Sequence, residues 1–240
     1  MSLPYFFVPD LSIDTLTLEE DTSKHVVQVL RMKVNEQLLL TDGKGTKATA
    51  TIIDDNRKRC TVKLSDVTRE QPKAVNVSIG ISLVKNASRF EWFLEKATEI
   101  GVTEIIPLLC DRTEKEKFRH DRLQSILISA MLQSQQCWLP VLREPVVIDK
   151  VIKETMVQAK FIAHCLPNEK KQLASALIHH SPFSTREAII LIGPEGDFTE
   201  AEIANALQQG FEPVALGNTR LRTETAGMVA ATLLCQLSQQ

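Results

Sequence analysis

The chain has 240 residues, 43% of them hydrophobic and 24% charged, with a formal net charge of −2, a composition with enough apolar material for one large domain or two modest ones. A balance so close to neutral does not announce nucleic-acid binding, so any phosphate-binding surface has to come from local clusters of cations. Five cysteines without a Cys-x-x-Cys pair argue for reduced, mostly buried thiols and against a disulfide framework or any metal site. With neither a leader segment nor a run of about 18 apolar residues, the expectation is a soluble cytoplasmic protein with no membrane contact.

Asp21 to about Leu30 reads as a short helix carrying His25, Val26, Val29 and Leu30, with His25 in a hydrogen-bonded structural role. The stretch EQLLLTDGKGTKATATIIDD sets β-formers on both sides of Asp42-Gly43, a hairpin signal. In KRCTVKLSDVTRE, Cys60, Val62 and Leu64 fall on one face and Thr61, Lys63 and Ser65 on the other. A small antiparallel barrel or sandwich is predicted over residues 1–71, with Gln71-Pro72-Lys73 as the seam.

After the seam, strands and helices alternate. Val75, Val77, Ile79, Ile81 and Leu83 recur at period two, then Phe90, Phe93, Leu94, Ala97 and Ile100 at helical spacing. Ser88 and Glu91 have capping-box spacing, and Gly101 suits the end of that helix. EIIPLLC reads as a strand and DRLQSILISAMLQS as a helix with Leu123, Ile126, Leu127, Ala130 and Met131 inward. AKFIAHCL and EAIILIGPEG are apolar enough for strands buried on both faces, and KKQLASALIHH between them is helical, with His179-His180 at its end. His164 and Cys165 are read as neighbours on a strand, pointing to opposite faces. The class is α/β, a mostly parallel sheet with helices on both sides, over residues 72–240.

Gly193-Pro194-Glu195-Gly196 ends such a strand, where open α/β sheets hold ligands. The glycines admit close backbone approach, and the central carboxylate favours a neutral or cationic ligand over a triphosphate. Thr199 and Glu202 have capping-box spacing for the next helix, which Gly210 ends. Further on, Val214 to Leu216 form a short strand, and Arg220 and Arg222 precede a final helix with Ala226, Val229, Ala230, Leu233, Leu234 and Leu237 on its apolar stripe. Both arginines stand near a helix N-terminus suited to anions, or pair with Glu224 and Glu195 as salt bridges.

IGPEGDFTEAEI together with LGNTRLRTETA closely resembles the RsmE family of bacterial 16S rRNA methyltransferases, of the SPOUT superfamily. HVVQVLRMKVNEQL and KNASRFEWFLEKATEIGVTEIIPL resemble that family's other signatures, in the right order along the whole chain. The resemblance implies a PUA-like barrel followed by a SPOUT domain with a C-terminal trefoil knot, and S-adenosylmethionine as cofactor. It implies a homodimer and, as partner, the 16S rRNA of the 30S subunit. By the same resemblance, the cofactor lies against His164, Cys165 and Leu166, against Ile192, Gly193, Pro194, Glu195 and Gly196, and against Leu216, Gly217, Leu221, Arg222, Thr223 and Thr225. Three positions depart from the family: Asp197 where a glycine is usual, Gln136 where an arginine is expected near RNA, and Asn35 where glycine is common.

Methylation of uridine N3 needs alignment, a proton acceptor and stabilisation of charge on the uracil oxygens. Arg220 or Arg222 is the expected stabiliser, and Glu195 or Glu224 the candidate base. Arg31, Lys33, Lys85, Arg89, Arg112 and Arg119 are the expected RNA contacts. Two rivals stay open: a non-catalytic rRNA-binding assembly factor, and a SPOUT enzyme acting on tRNA or 23S rRNA.

Overall fold

A computed structural model describes residues 3–114, 117–167, 169–179 and 187–237. The chain divides into two units, Met1–Pro72 with Met131–Leu139, and Lys73–Ala130 with Pro140–Gln240.

The first unit holds β1 (Tyr5–Phe7), β2 (Thr15–Thr17), α1 (Glu20–Lys24), β3 (Gln37–Thr41), β4 (Thr46–Asp54) and β5 (Thr61–Arg69). Its sheet runs β1-β3-β4-β5-β2. All its ladders are antiparallel except β1 with β3, a parallel pair that the expected hairpin arrangement did not include. Val26, Leu38, Leu40, Ala50, Ile52 and Val62 are fully buried between these elements. Ser23 fastens α1 to β5, donating from Oγ to Leu18 O and accepting from Cys60 N, each at 3.0 Å.

The predicted helix over Asp21–Leu30 is corrected. After Lys24 the chain winds as a π-helical segment, His25–Val29, whose wider turn spoils the 3.6-residue stripe. Val26 is buried, but Val29 and Leu30 are 67% and 41% exposed. His25 meets Phe6 edge-on, with ring centroids 5.7 Å apart, in place of the expected hydrogen-bonded role.

Residues 1–71 are also not the whole of this unit, because Met131–Leu139 belongs to it. Trp138 covers Gly45, where a Cβ would lie 2.3 Å from its ring, and Gln136 O accepts from Tyr5 Oη at 3.1 Å.

The second unit contains β6 (Asn76–Ser82), α2 (Ala87–Ile100), β7 (Glu104–Leu109), α3 (His120–Gln133, which runs into the first unit), β8 (Val141–Leu142), β9 (Val146–Val147) and α4 (Ile148–Glu154). It continues with β10 (Ala159–Ala163), β11 (Lys171–Gln172), α5 (Leu173–His179), β12 (Glu187–Ile192), α6 (Glu200–Gln208), β13 (Glu212–Ala215) and α7 (Thr223–Leu237). The strands form one sheet, β11-β13-β10-β12-β6-β7-β8 with β9 also on β7, and every pairing in it is parallel.

Val77 to Ser82 are buried without a break, so β6 has two covered faces where period-two reading implied one. Partners opposite each other across a ladder share a face. Ile81 and Ile192 are such a pair, and on their face a Cβ at Gly227 of α7 would meet Ile81 at 2.8 Å. Gly80 and Leu191 take the other face, where Leu191 joins Ile148, Ile152, Ile203 and Phe211 in a core beneath α4 and α6.

Asn86 caps α2, its side chain accepting from Ser88 N at 3.0 Å, in place of the expected Ser88–Glu91 box. Glu91 instead holds Arg122 through two hydrogen bonds of 2.7 and 2.9 Å. In α3, Leu123, Leu127, Ala130 and Met131 are buried and Ile126 is half-buried. The α7 stripe is Gly227, Ala230, Ala231 and Leu234, with Ala226, Val229 and Leu233 only half-buried. His180 and the side chains of His179 and Leu237 lie outside the described residues. Among the described residues no helix is long and apolar enough to cross a membrane.

Candidate active site

Strands β13, β10 and β12 are parallel neighbours, so their carboxyl ends lie side by side. The loops leaving those ends build a cleft of about 310 Å³. Ala163 and Cys165 come from the end of β10 and the first loop after it, Ile192 to Glu195 and Asp197 from the end of β12 and the second loop, and Arg220 to Thr223 with Ala226 from the third loop, after β13, and the start of α7. Of the residues expected at the cofactor, His164, Leu166, Gly196, Leu216, Gly217 and Thr225 do not line it. Asp197, Ala163 and Ala226 line it and had not been expected there.

The second loop is braced from three directions. Thr199 and Glu202 form the expected capping box at the start of α6, and Glu202 Oε1 also accepts from Asp111 N at 2.9 Å. Thr223 Oγ1 donates to Gly193 O at 3.0 Å, fixing the start of α7 to the turn. Arg112 Nη1 donates to Gly196 O at 2.7 Å and to Phe198 O at 3.4 Å, so this expected RNA contact is engaged in holding the turn.

The two glycines of the turn serve different ends. A Cβ on Gly193, which lines the cleft, would press on the Phe198 ring at 3.1 Å, so packing alone already favours glycine there. On Gly196 a Cβ would meet only the Arg112 side chain, at 3.4 Å, leaving that backbone open to an approaching group.

Asp197 sits in the left-handed region at φ 64°. Its Oδ2 accepts from Cys165 N at 2.8 Å and its Oδ1 from Phe198 N at 2.9 Å. One carboxylate thereby ties the first loop to the second.

His164, just after β10, is buried while Cys165 is exposed. Both His164 ring nitrogens are buried without a hydrogen-bond partner. Burial pushes its imidazole pKa below the ordinary 6.5, the Lys170 charge adds to that, and Asp197 opposes it. Above pH 6.5 the ring is neutral in both folded and unfolded chains. Below it the unfolded chain takes up the proton more readily, so this residue's contribution to stability is lost as pH falls from 6.5 toward the depressed folded value. The melting temperature of the native chain is therefore expected to drop more steeply with acidification than that of His164→Gln. Parallel curves would contradict this.

The candidate catalytic groups are placed unequally. Glu195 is exposed, accepts from Lys85 N at 3.2 Å, and lines the cleft. Glu224 is buried, its Oε1 3.6 Å from Arg89 Nε and its Oε2 buried without a partner, and it does not line the cleft. Arg220 donates to Glu195 O at 3.4 Å. Arg222 lines the cleft exposed, with no ion pair among the described residues. The salt bridges anticipated between these arginines and Glu195 or Glu224 do not form, because Glu224 faces Arg89.

Lys85 pairs with Glu114 at 3.0 Å, and Arg119 is exposed near the start of α3. Arg31, at φ 59°, and Lys33, 3.5 Å from Asp55, are exposed in the first unit. Four of the five cysteines are buried and Cys165 is exposed, all of them free. No three His, Cys, Asp or Glu side chains among the described residues are grouped to hold a metal ion.

Comparison with known proteins identifies the frame around this cleft. The sequence matches the profile of the RNA methyltransferase domain over residues 70–235 and that of the RNA methyltransferase PUA domain over residues 18–65. A crystal structure of a probable rRNA methyltransferase from Porphyromonas gingivalis is 37% identical, covers 99% of both chains and superposes with a TM-score of 0.88. The chain belongs to the RsmE family of ribosomal RNA methyltransferases.

Within that family, the ribosomal RNA small subunit methyltransferase E of Neisseria gonorrhoeae, solved bound to S-adenosylmethionine, is 28% identical over 98% of both chains, with a TM-score of 0.85. The Synechocystis enzyme of the same name is 29% identical over 219 residues, 90% of this chain and 71% of that relative.

Asn35 and Asp197, the two places where the family favours glycine, both have positive φ here, 74° and 64°. The fold keeps the left-handed backbone and fills it with the side chains that tolerate it best. Asp197→Ala keeps the unfavourable dihedral and loses both hydrogen bonds, so S-adenosylmethionine affinity is expected to fall about tenfold, since bonds to charged groups are the stronger ones. Asp197→Gly relieves the backbone and is expected to recover part of the loss. Calorimetric titration separates the two, and equal affinities in all three proteins would remove the clamp from the argument.

Proposed function

We propose that this protein transfers the methyl group of S-adenosylmethionine to N3 of a specific uridine in the 16S rRNA of the 30S subunit. The observation that carries the reading is the convergence of three strand-end loops on one cleft whose lining combines apolar side chains, two carboxylates and two arginines. Ile192, Leu221 and Ala226 suit a purine, while Glu195 and Asp197 suit the positive charges of the cofactor. Both His164 ring nitrogens, buried without a partner next to Cys165 of the lining, add unmet polar capacity.

The cofactor supplies an electrophilic methyl group, and the remaining chemistry falls to the chain. The uracil N3 proton has to leave, and Glu195 is the acceptor of choice because it is exposed, lines the cleft and has only one oxygen engaged by Lys85 N. Negative charge then spreads to the uracil oxygens. Arg222 and Arg220 stabilise it with planar, bidentate donors, and the bond of Arg220 to Glu195 O keeps that guanidinium at the mouth. N3 forms its bond to the methyl carbon as the methyl–sulfur bond breaks, so that S-adenosylhomocysteine would be left, and the proton passes from Glu195 to solvent.

The trefoil knot implied by the resemblance is supported by chain order. The chain leaves β13 on the far side of β10, crosses to the end of β12 where Thr223 bonds Gly193 O, and then lays α7 on α2 and β6. A homodimer and a cytoplasmic location follow from the resemblance and from a ribosomal substrate.

The test is transfer of labelled methyl from S-adenosylmethionine to 30S subunits lacking the modification, followed by mass mapping of the modified nucleoside. A single N3-methyluridine in 16S rRNA is expected. Cofactor binding without transfer would move the substrate to another RNA, and neither binding nor transfer would leave an rRNA-binding factor.

A further inference from the structure

The second unit carries another depression that the methyl-transfer chemistry does not use. It lies between the start of α2 and the segment leading into α3, with a volume of about 340 Å³, at the lower end of the range for small-molecule sites, about 300–1,000 Å³. Val84, Phe90 and Leu123 are buried around it. Phe118 is half-buried and lines it too, tilted against His120 with ring centroids 5.9 Å apart.

The exposed residues lining the depression are mostly cationic. Arg122 is held by Glu91, but Lys117 and Arg119 are exposed and have no ion pair among the described residues.

This depression is linked to the cofactor cleft. An open basin lined by Lys85, Asn86, Ala87, Arg89, Glu114 and Glu195 lies between them. Ala87 lines both the basin and the apolar depression, and Glu195 lines both the basin and the cofactor cleft. A strand crossing the basin thus meets Glu195 at one end and the Phe118 depression at the other.

We propose that the Phe118 depression receives an unstacked nucleobase neighbouring the target uridine, with Arg119 and Lys117 on the adjoining phosphates. The inference rests on the RNA-methyltransferase reading and adds a recognition site to it. Withdrawing one base from a stack exposes its neighbour. Proteins that read single-stranded RNA meet such bases with aromatic faces and arginine planes and hold the backbone with cations. An apolar floor beside two exposed cations that have no ion pair among the described residues matches that chemistry and suits neither an acidic ligand alone nor a purely apolar one.

The test compares Phe118→Ala, Phe118→Trp and the double variant Lys117→Ala/Arg119→Ala with the native chain. Methyl transfer is measured on 30S subunits lacking the modification, beside calorimetric S-adenosylmethionine affinity, melting temperature and mass in solution. Loss of one base–aromatic stack corresponds to about 5–160-fold in affinity. Phe118→Ala is therefore expected to raise KM for 30S subunits within that range, with kcat and cofactor affinity held.

Phe118→Trp keeps a stacking face and is expected to stay near the native KM. The double variant raises KM and flattens its dependence on salt. Should Phe118→Ala fail to fold, the tryptophan and double variants still decide. Native KM in the double variant overturns the proposal, as does native KM in a folded Phe118→Ala or a fall in kcat alone. A change of mass in solution on altering Phe118 would assign the depression to a second copy of the chain and also overturn it. If the native chain transfers no methyl group to 30S subunits, the substrate reading itself fails and this site falls with it.

Discussion

Arg222→Ala is expected to lower kcat for methyl transfer by about 10²–10³-fold, the typical effect of removing one donor aimed at developing negative charge. Arg222 lines the cleft, is exposed, and makes no ion pair among the described residues. Its guanidinium is therefore available to the substrate, whereas Arg89 faces Glu224 and Arg112 holds the turn. The uracil anion offers two oxygens flanking N3, and a guanidinium can address such a group with parallel donors where an ammonium presents a point charge. Arg222→Lys is accordingly expected to recover little. Cofactor affinity should change less than kcat, because the Arg222 charge acts in opposed directions on the cofactor, attracting its carboxylate and repelling its sulfonium and ammonium groups, whereas it acts in one direction on the uracil anion. A variant with near-native kcat, or one whose only defect is weak cofactor binding, would move the stabilising role to Arg220.

The contrast between Arg222 and its neighbours shows what a sequence can and cannot display. Periodic features were legible. Phe90, Phe93, Leu94 and Ala97 marked the buried face of α2, and Thr199 with Glu202 marked the start of α6, because those signals lie within one or two turns of chain. The same local logic misplaced the cap of α2, since Asn86, two residues earlier, offers its carbonyl to Ser88 N. It also misjudged Val29 and Leu30, where the chain leaves α-helical geometry.

Partners distant in sequence had no local signature. Asp197 reads as a departure from a glycine motif until Cys165 N is seen 2.8 Å away, and nothing in the motif shows that the Phe198 ring packs against Gly193. Strands β8, β9 and β11 are two residues each, too short to show a period. Helix α4 was not anticipated, nor was the position of β13 outside β10, which depends on pairings between segments about fifty residues apart.

Gly227→Val is expected to have the largest effect on stability and to carry it into the cleft. A Cβ at Gly227 would stand 2.7 Å from Phe93 Cε2 and 2.8 Å from Ile81 Cδ1, and both of those side chains are fully buried. Neither can swing away, so α7 itself has to move. Alanine at this position sets a helix-propensity gain of about 1 kcal/mol against that clash, while valine adds two methyl groups beyond the Cβ and loses most of the propensity advantage. Overpacking of this kind typically costs about 1–3 kcal/mol, or roughly 2–12 °C in melting temperature for a chain of this size. Displacing α7 also pulls on Thr223, four residues earlier, whose hydroxyl holds Gly193 O. If the register of that hydrogen bond sets the cleft, S-adenosylmethionine affinity falls together with the melting temperature. A valine variant that melts early yet binds the cofactor as the native chain does would mean that the first turn of α7 is anchored independently of the packing beneath Gly227, with the bond between Thr223 and Gly193 sufficient to hold it.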